Sequence, residues 1–136
     1  MTAEVNKELI RHIMEDGFNK QDMAVVHATF HADYARHGHG VASMTSLAEH
    51  VDDLKARHAA FDDARFTIQN IVADGDTVAV QFVFTGVHKG EFNGLTASGN
   101  SVSRPAAAFF KIRNGKVAEG TVFADGAGFM AQMEEI

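Results

Sequence analysis

The sequence predicts an α+β fold: helices first, then a curved antiparallel sheet, then a short closing helix. Three observations carry that expectation. Apolar residues recur with a period near 3.6 up to Phe61 and with a period of two from Phe66 onward. Two hairpin signals, Asp74-Gly75 and Asn114-Gly115, separate the period-two runs. The tail then reads as a strand, one acidic residue at its exit (Asp125), and a helix reaching Gln132.

The first helix spans Thr2 to about Asp16, with Val5, Leu9, Ile10, Ile13 and Met14 on one face and Asp16-Gly17 as its stop. Asp22 caps a shorter helix that carries Met23, Val25, Val26 and Ala28 and finishes near Phe30. His31 to His37 is a short extended piece, and Gly38 and Gly40 break regular structure after it. Ser46-Leu47-Ala48-Glu49 has capping-box spacing. The helix it opens sets Leu47, Val51, Leu54, His58 and Phe61 along one stripe, with Asp52, Asp53, Lys55 and Arg57 on the opposite, solvent side.

In the strands, a three-residue turn over Asp74-Gly75-Asp76 aligns Val72 with Val78, Ile68 with Phe82 and Phe66 with Phe84. A one-residue slip would reverse every side chain, so this register is expected over a shorter turn at Asp74-Gly75. The segment Gly90 to Gly99 is a long hairpin connection without the Gly-Lys-Ser/Thr ending of a phosphate loop. A strand from Ser101 to Arg113 turns at Asn114-Gly115. That turn pairs Ile112 with Val117, Phe110 with Glu119, Ala108 with Thr121 and Ala106 with Phe123. Continued alternation sets residues 119, 121, 123 and 125 on the inner face. The small run Ala106-Ala107-Ala108 widens a cavity or admits a close neighbour.

At 136 residues the chain suits one domain, 1–136, with a sizeable core. Eleven Phe and no Trp make that core apolar with few polar handles. Cys is absent, which removes disulfides, thiolate nucleophiles and thiolate zinc sites. With no signal peptide or long apolar span in view, a cytoplasmic location without membrane contact is expected. The net charge of −6, with scattered basic residues, argues against nucleic acid. The His37-x-His39 pair and the His27/His31 pair have metal-ligand spacing but no evident third ligand, so no metal is expected.

These elements resemble the SnoaL-like polyketide cyclases, a branch of the nuclear transport factor 2-like superfamily. The resemblance rests on Ala32-Asp33-Tyr34-Ala35-Arg36-His37, Phe66-Thr67-Ile68, Gly75-Asp76-Thr77-Val78-Ala79-Val80, Thr85 to Phe92, and Gly115-Lys116-Val117-Ala118-Glu119 leading to Asp125, Gly128 and Gln132. It implies a cone in which helices close a curved sheet around a deep pocket, commonly as a homodimer. It also implies cofactor-free acid–base chemistry, an intramolecular aldol condensation on an aromatic polyketide ester with an acidic residue and no metal. The same scaffold hosts isomerases, hydratases, epoxide hydrolases and non-catalytic binders. Where the family commonly carries a His-Trp-Asp-like stretch, this chain reads Gly120-Thr121-Val122. If the resemblance places the catalytic acid in that stretch, Val122 has abolished it; if it matches the later acid, Asp125 keeps it, and the alternation that sets 119, 121, 123 and 125 on one face favours Asp125.

Enclosed by Phe123 and Phe129, the Asp125 carboxyl would resist ionisation and titrate near neutrality, as proton transfer to an enolate requires. The plainer role is a cap on the last helix. His37 and Tyr34 are expected to hydrogen-bond a substrate carbonyl or orient the acid; otherwise Tyr34 fills the core and His37 satisfies a loop. His88 shares parity with Phe82 and Phe84 and points inward. His58 interrupts an apolar stripe, with His50 beside it, and either can line a pocket. The expected site is thus Asp125 and His37 as catalytic residues, with Tyr34, His88, His58, Phe123 and Thr121 against a hydrophobic carbonyl compound or ester. The alternative is a non-catalytic small-molecule binding protein with the same pocket.

Overall fold

The computed structural model describes residues 2–134. Helix α1 (Ala3–His12) starts at Thr2, whose hydroxyl accepts the Val5 amide at 3.2 Å. The helix does not stop at Asp16-Gly17 but continues as a π-helical turn, Ile13–Phe18. Gly17 is buried there, and a Cβ on it would stand 3.2 Å from Val26, so the glycine admits α2 (Met23–Thr29) against the turn. Asp22 caps α2 through the amides of Ala24 and Val25. Helix α3 (Leu47–Ala60) opens on Ser46, whose hydroxyl accepts the Glu49 amide at 3.2 Å, as the capping-box spacing anticipates.

Five strands follow the order β1-β5-β4-β3-β2. They are β1 (Phe30–His39), β2 (Phe61–Asp74), β3 (Thr77–His88), β4 (Ser101–Arg113) and β5 (Lys116–Ala124). Strand β1 runs parallel to β5 and the other pairs are antiparallel. Helix α4 (Gly126–Glu134) closes the chain. The result is the expected α+β cone: a curved, mostly antiparallel sheet with the helices packed on its inner face. Among the described residues no helix is long and apolar enough to cross a membrane.

Two registers differ from expectation, and bulges explain both. The β2–β3 turn holds two residues, Gly75 and Asp76, so Ala73 rather than Val72 pairs with Val78. A bulge between Ile68 and Asn70 then restores the expected Ile68–Phe82 and Phe66–Phe84 pairs. In β4–β5 the Asn114-Gly115 turn does pair Ile112 with Val117. The next pair is Lys111 with Glu119, leaving Ala118 unpaired. Every residue beyond it is reversed: Phe110 pairs with Gly120, Ala108 with Val122 and Ala106 with Ala124. Gly120 and Val122 therefore point into the molecule, while Glu119 and Phe123 point out.

The inner face is dominated by phenyl rings. Phe66 meets Phe18, Phe82 and Phe84 at centroid distances of 5.4, 5.9 and 5.0 Å, and Phe61 joins Phe84, Phe92 and Phe129. Full burial of each such side chain contributes about 1.5–3 kcal/mol, so this network is a main support of the fold. Gln132 fastens α4 to β4 beyond the last β5 pairing. Its side-chain oxygen accepts the Ser103 amide at 2.7 Å and its NH2 donates to the Ser103 carbonyl at 2.9 Å.

Candidate functional site

Between the sheet and α3 lies a small cavity of about 40 Å³. Its inner chamber is apolar, walled by Met14, Phe18, Leu54, Phe66, Phe82 and Phe110. Ala108 of β4 and Val122 of β5 also face it. An outer vestibule is bounded by Gly40, Phe92, Gly126, Phe129 and Met130. The two spaces share Val41, Asp53, Arg57 and Arg104. A charged waist thus joins an apolar chamber to the entrance.

The waist holds more positive than negative charge. Asp53 Oδ2 lies 3.1 Å from Arg57 Nε and 3.6 Å from Arg36 Nη1. Arg36 also donates from Nε to the Ala42 carbonyl at 2.9 Å. Arg104 rests its guanidinium 4.7 Å over the Phe129 ring and has no side-chain ion pair or hydrogen bond among the described residues. All three arginines are more than nine-tenths buried. Burial lowers the Arg104 pKa to about 10, and repulsion from Arg57 and Arg36 adds to the effect. The group remains cationic at neutral pH.

His50 and Tyr34 line the deep end. The His50 ring sits 5.5, 5.2 and 5.2 Å from the rings of Phe18, Phe30 and Tyr34. Neither of its ring nitrogens has a hydrogen-bond partner. Burial first, then the Arg36 charge, depresses its pKa to about 4, so the ring is neutral at pH 7. A neutral imidazole offers one donor and one acceptor. Burial likewise pushes the Tyr34 hydroxyl well above its ordinary value, keeping it protonated.

Of the expected catalytic and binding residues Tyr34 alone lines this cavity, together with His50, which the sequence offered beside the α3 stripe as able to line a pocket. Asp125 is exposed rather than enclosed: the Ala118 bulge reverses the strand before it, and its Oδ1 accepts the Gly128 amide at 2.9 Å as the cap of α4. His37 is exposed on β1, with Nε2 2.8 Å from Glu119 Oε1 on the outer face. Thr121 pairs with His37, and the exposed Phe123 stacks on His39 at 4.6 Å. His88 is fully buried as parity suggested, but its Nδ1 engages Ser98 at 2.9 Å, beyond the cavity wall. His58 donates to the Phe18 carbonyl at 2.7 Å and ties α3 to the π-helical turn.

Arg36, His50, Asp53, Arg57 and Arg104 come together instead. Asp53 and Arg57 do not lie on a solvent face of α3. Its buried stripe runs Leu47, His50, Val51, Leu54 and Arg57, so the last step is three residues, to Arg57, and not four, to His58. Arg104 was legible from alternation: the pinned Ile112 puts Phe110, Ala108, Ala106 and Arg104 on one inward face. Arg36 follows Tyr34 by two on β1 in the same way. No cluster of three or more His, Asp or Glu arranged for a metal occurs among the described residues.

A model of the SnoaL-like polyketide cyclases matches residues 8–133. The chain belongs to the SnoaL-like polyketide cyclase family. Solved structures share the fold of this family member at low identity. A candidate SnoaL-like polyketide cyclase from Jannaschia sp. CCS1 is 23% identical with a TM-score of 0.89, covering 98% of this chain and 94% of that one. IdmH, a candidate polyketide cyclase from Streptomyces antibioticus, is 24% identical at a TM-score of 0.81, covering 96% and 99%. AclR, a candidate hydroxylase from Streptomyces galilaeus, is 22% identical at 0.85, covering 99% and 88%. Curated proteins gave no match. In this SnoaL-like chain, the inward-facing β5 residue that lines the cavity is the apolar Val122.

Proposed function

We propose that the protein is a cofactor-free acid–base enzyme of the SnoaL-like kind, forming an enolate from a hydrophobic carbonyl or ester compound and closing a ring by an intramolecular aldol step. The observation that carries this reading is His50: a neutral, buried imidazole with two free nitrogens beside three guanidinium groups. His50 accepts the proton from the carbon next to the carbonyl. Arg36, Arg57 and Arg104 stabilise the charge that develops on oxygen, in a site where water does not dilute their field. Asp53 holds Arg36 and Arg57 in place and favours the imidazolium that forms.

The test is turnover of aromatic β-keto esters in D2O, following deuterium at the activated carbon by NMR and cyclised product by mass spectrometry. Exchange that is absent in a His50→Gln variant of unchanged fold supports the reading. Equal rates in both proteins refute it.

Val122 favours a second reading, a non-catalytic binder of the same class of molecule, because a carboxylate is missing where the family resemblance would place one. Retained ligand in native mass spectra with no exchange of any probe distinguishes it. We propose further that two copies associate through the outer sheet face, where Phe109 and Phe123 are 47% and 46% exposed. A monomer mass in light scattering would contradict that.

A further inference from the structure

Three arginines against one aspartate leave the waist two positive charges in excess. Arg57 and Arg36 oppose the Arg104 charge and Asp53 favours it. Arg36 Nη2, Arg57 Nη1 and Arg104 Nε are buried with no acceptor. A charged donor left unmade in this way is more costly than a neutral one. Three converging on one cavity leave room for a missing anion.

We infer that the waist, Arg36, Arg57 and Arg104, binds a carboxylate whose apolar body points toward the inner chamber. The inference deepens the proposed function, on whose site it rests, by adding a feature to the substrate: an aromatic ketone that also carries a free carboxylate, for which aryl carboxylates serve as non-reacting probes. The chamber beyond the waist is walled by Phe18, Phe66, Phe82 and Phe110, which suits an apolar group and excludes a hydrophilic phosphate ester. A planar guanidinium matches the two oxygens of a carboxylate.

The experiment is calorimetric titration of the full chain with 2-naphthoate, methyl 2-naphthoate and benzoate. The acid is expected to bind at least tenfold tighter than its ester, and benzoate more weakly than naphthoate. Arg104→Met is expected to cut the acid's affinity at least tenfold and leave the ester within threefold. Since Arg104 has no ion pair to lose, the variant should fold; Arg104→Lys, which keeps the charge, should retain most of the preference. Equal or tighter binding of the ester, no binding of the acid, or an equal loss of both ligands in Arg104→Met would overturn the inference. Acid binding without proton exchange in any probe would uphold this inference and remove the enzyme reading. Turnover of neutral esters with no preference for acids would do the reverse.

Discussion

Tyr34 and Gly120 meet inside the cone: a Cβ on Gly120 would stand 2.7 Å from the Tyr34 hydroxyl and 3.1 Å from the Phe110 ring. The glycine is needed for space, because the Ala118 bulge turns position 120 inward against the one tyrosine of the chain. Gly120→Ala should therefore lower stability by about 1–3 kcal/mol, the usual range for overpacking. Tyr34→Phe in the same chain should recover part of that loss by removing the oxygen, while contact with Phe110 remains. Chemical denaturation of the two single variants and the double variant measures the coupling; strict additivity would contradict the contact.

Acid should weaken the protein through His50. Its folded-state pKa, about 4, lies below the ordinary 6.5, so the unfolded chain takes up the proton first. Stability from this group is full above about pH 6.5 and is lost as the pH falls toward 4. The displacement corresponds to on the order of 3 kcal/mol. A His50→Phe variant, whose ring suits the neighbouring Phe18 and Phe30, should lose that part of the pH dependence in urea denaturation curves. An unchanged acid limb would contradict the assignment.

Asp53→Asn should destabilise the chain by about 2–3 kcal/mol, since it leaves Arg36 and Arg57 facing one another without their shared partner. Added 2-naphthoate should restore part of the loss in a thermal melt. A melting temperature within one or two degrees of wild type would show that the aspartate does not hold the pair.

Asp125 should behave as a helix cap. Asp125→Ala is expected to cost about 1 kcal/mol and Asp125→Asn only a few tenths, because Asn caps as well as Asp. Equal losses in the two variants, read from denaturation midpoints, would contradict the Gly128 contact as its role.

The architecture was legible because it is written in periods and turns. The capping box at Ser46 and the Asn114-Gly115 turn fix elements through local chemistry and stand where the spacing put them, whereas the α3 stripe holds only through Leu54, and Phe61, expected on that stripe, begins β2. The site was less legible because it depends on parity, which a single unpaired residue reverses. Ala118 carries no turn signature, yet it moves Val122 into the cavity and leaves Asp125 at an exposed strand exit. In α3 the choice between Arg57 and His58 lay between steps of three and four, both helical. A preference for apolar-looking residues selected the histidine over a charge that the fold does bury. Buried arginines are hard to foresee from composition alone, as their burial is tolerated only where a cavity or counter-charge exists.

We place the proposed chemistry at His50, inside the cavity, and not at His37 and Asp125 on the outside. Deuterium exchange into an aromatic β-keto ester, measured side by side for His50→Gln and for a His37→Ala/Asp125→Asn double variant, tests it most directly. Exchange is expected to fall at least a hundredfold in His50→Gln and to stay within about twofold in the double variant, general base removal being worth about 10²–10⁴. Full activity in His50→Gln together with loss in the double variant would contradict it.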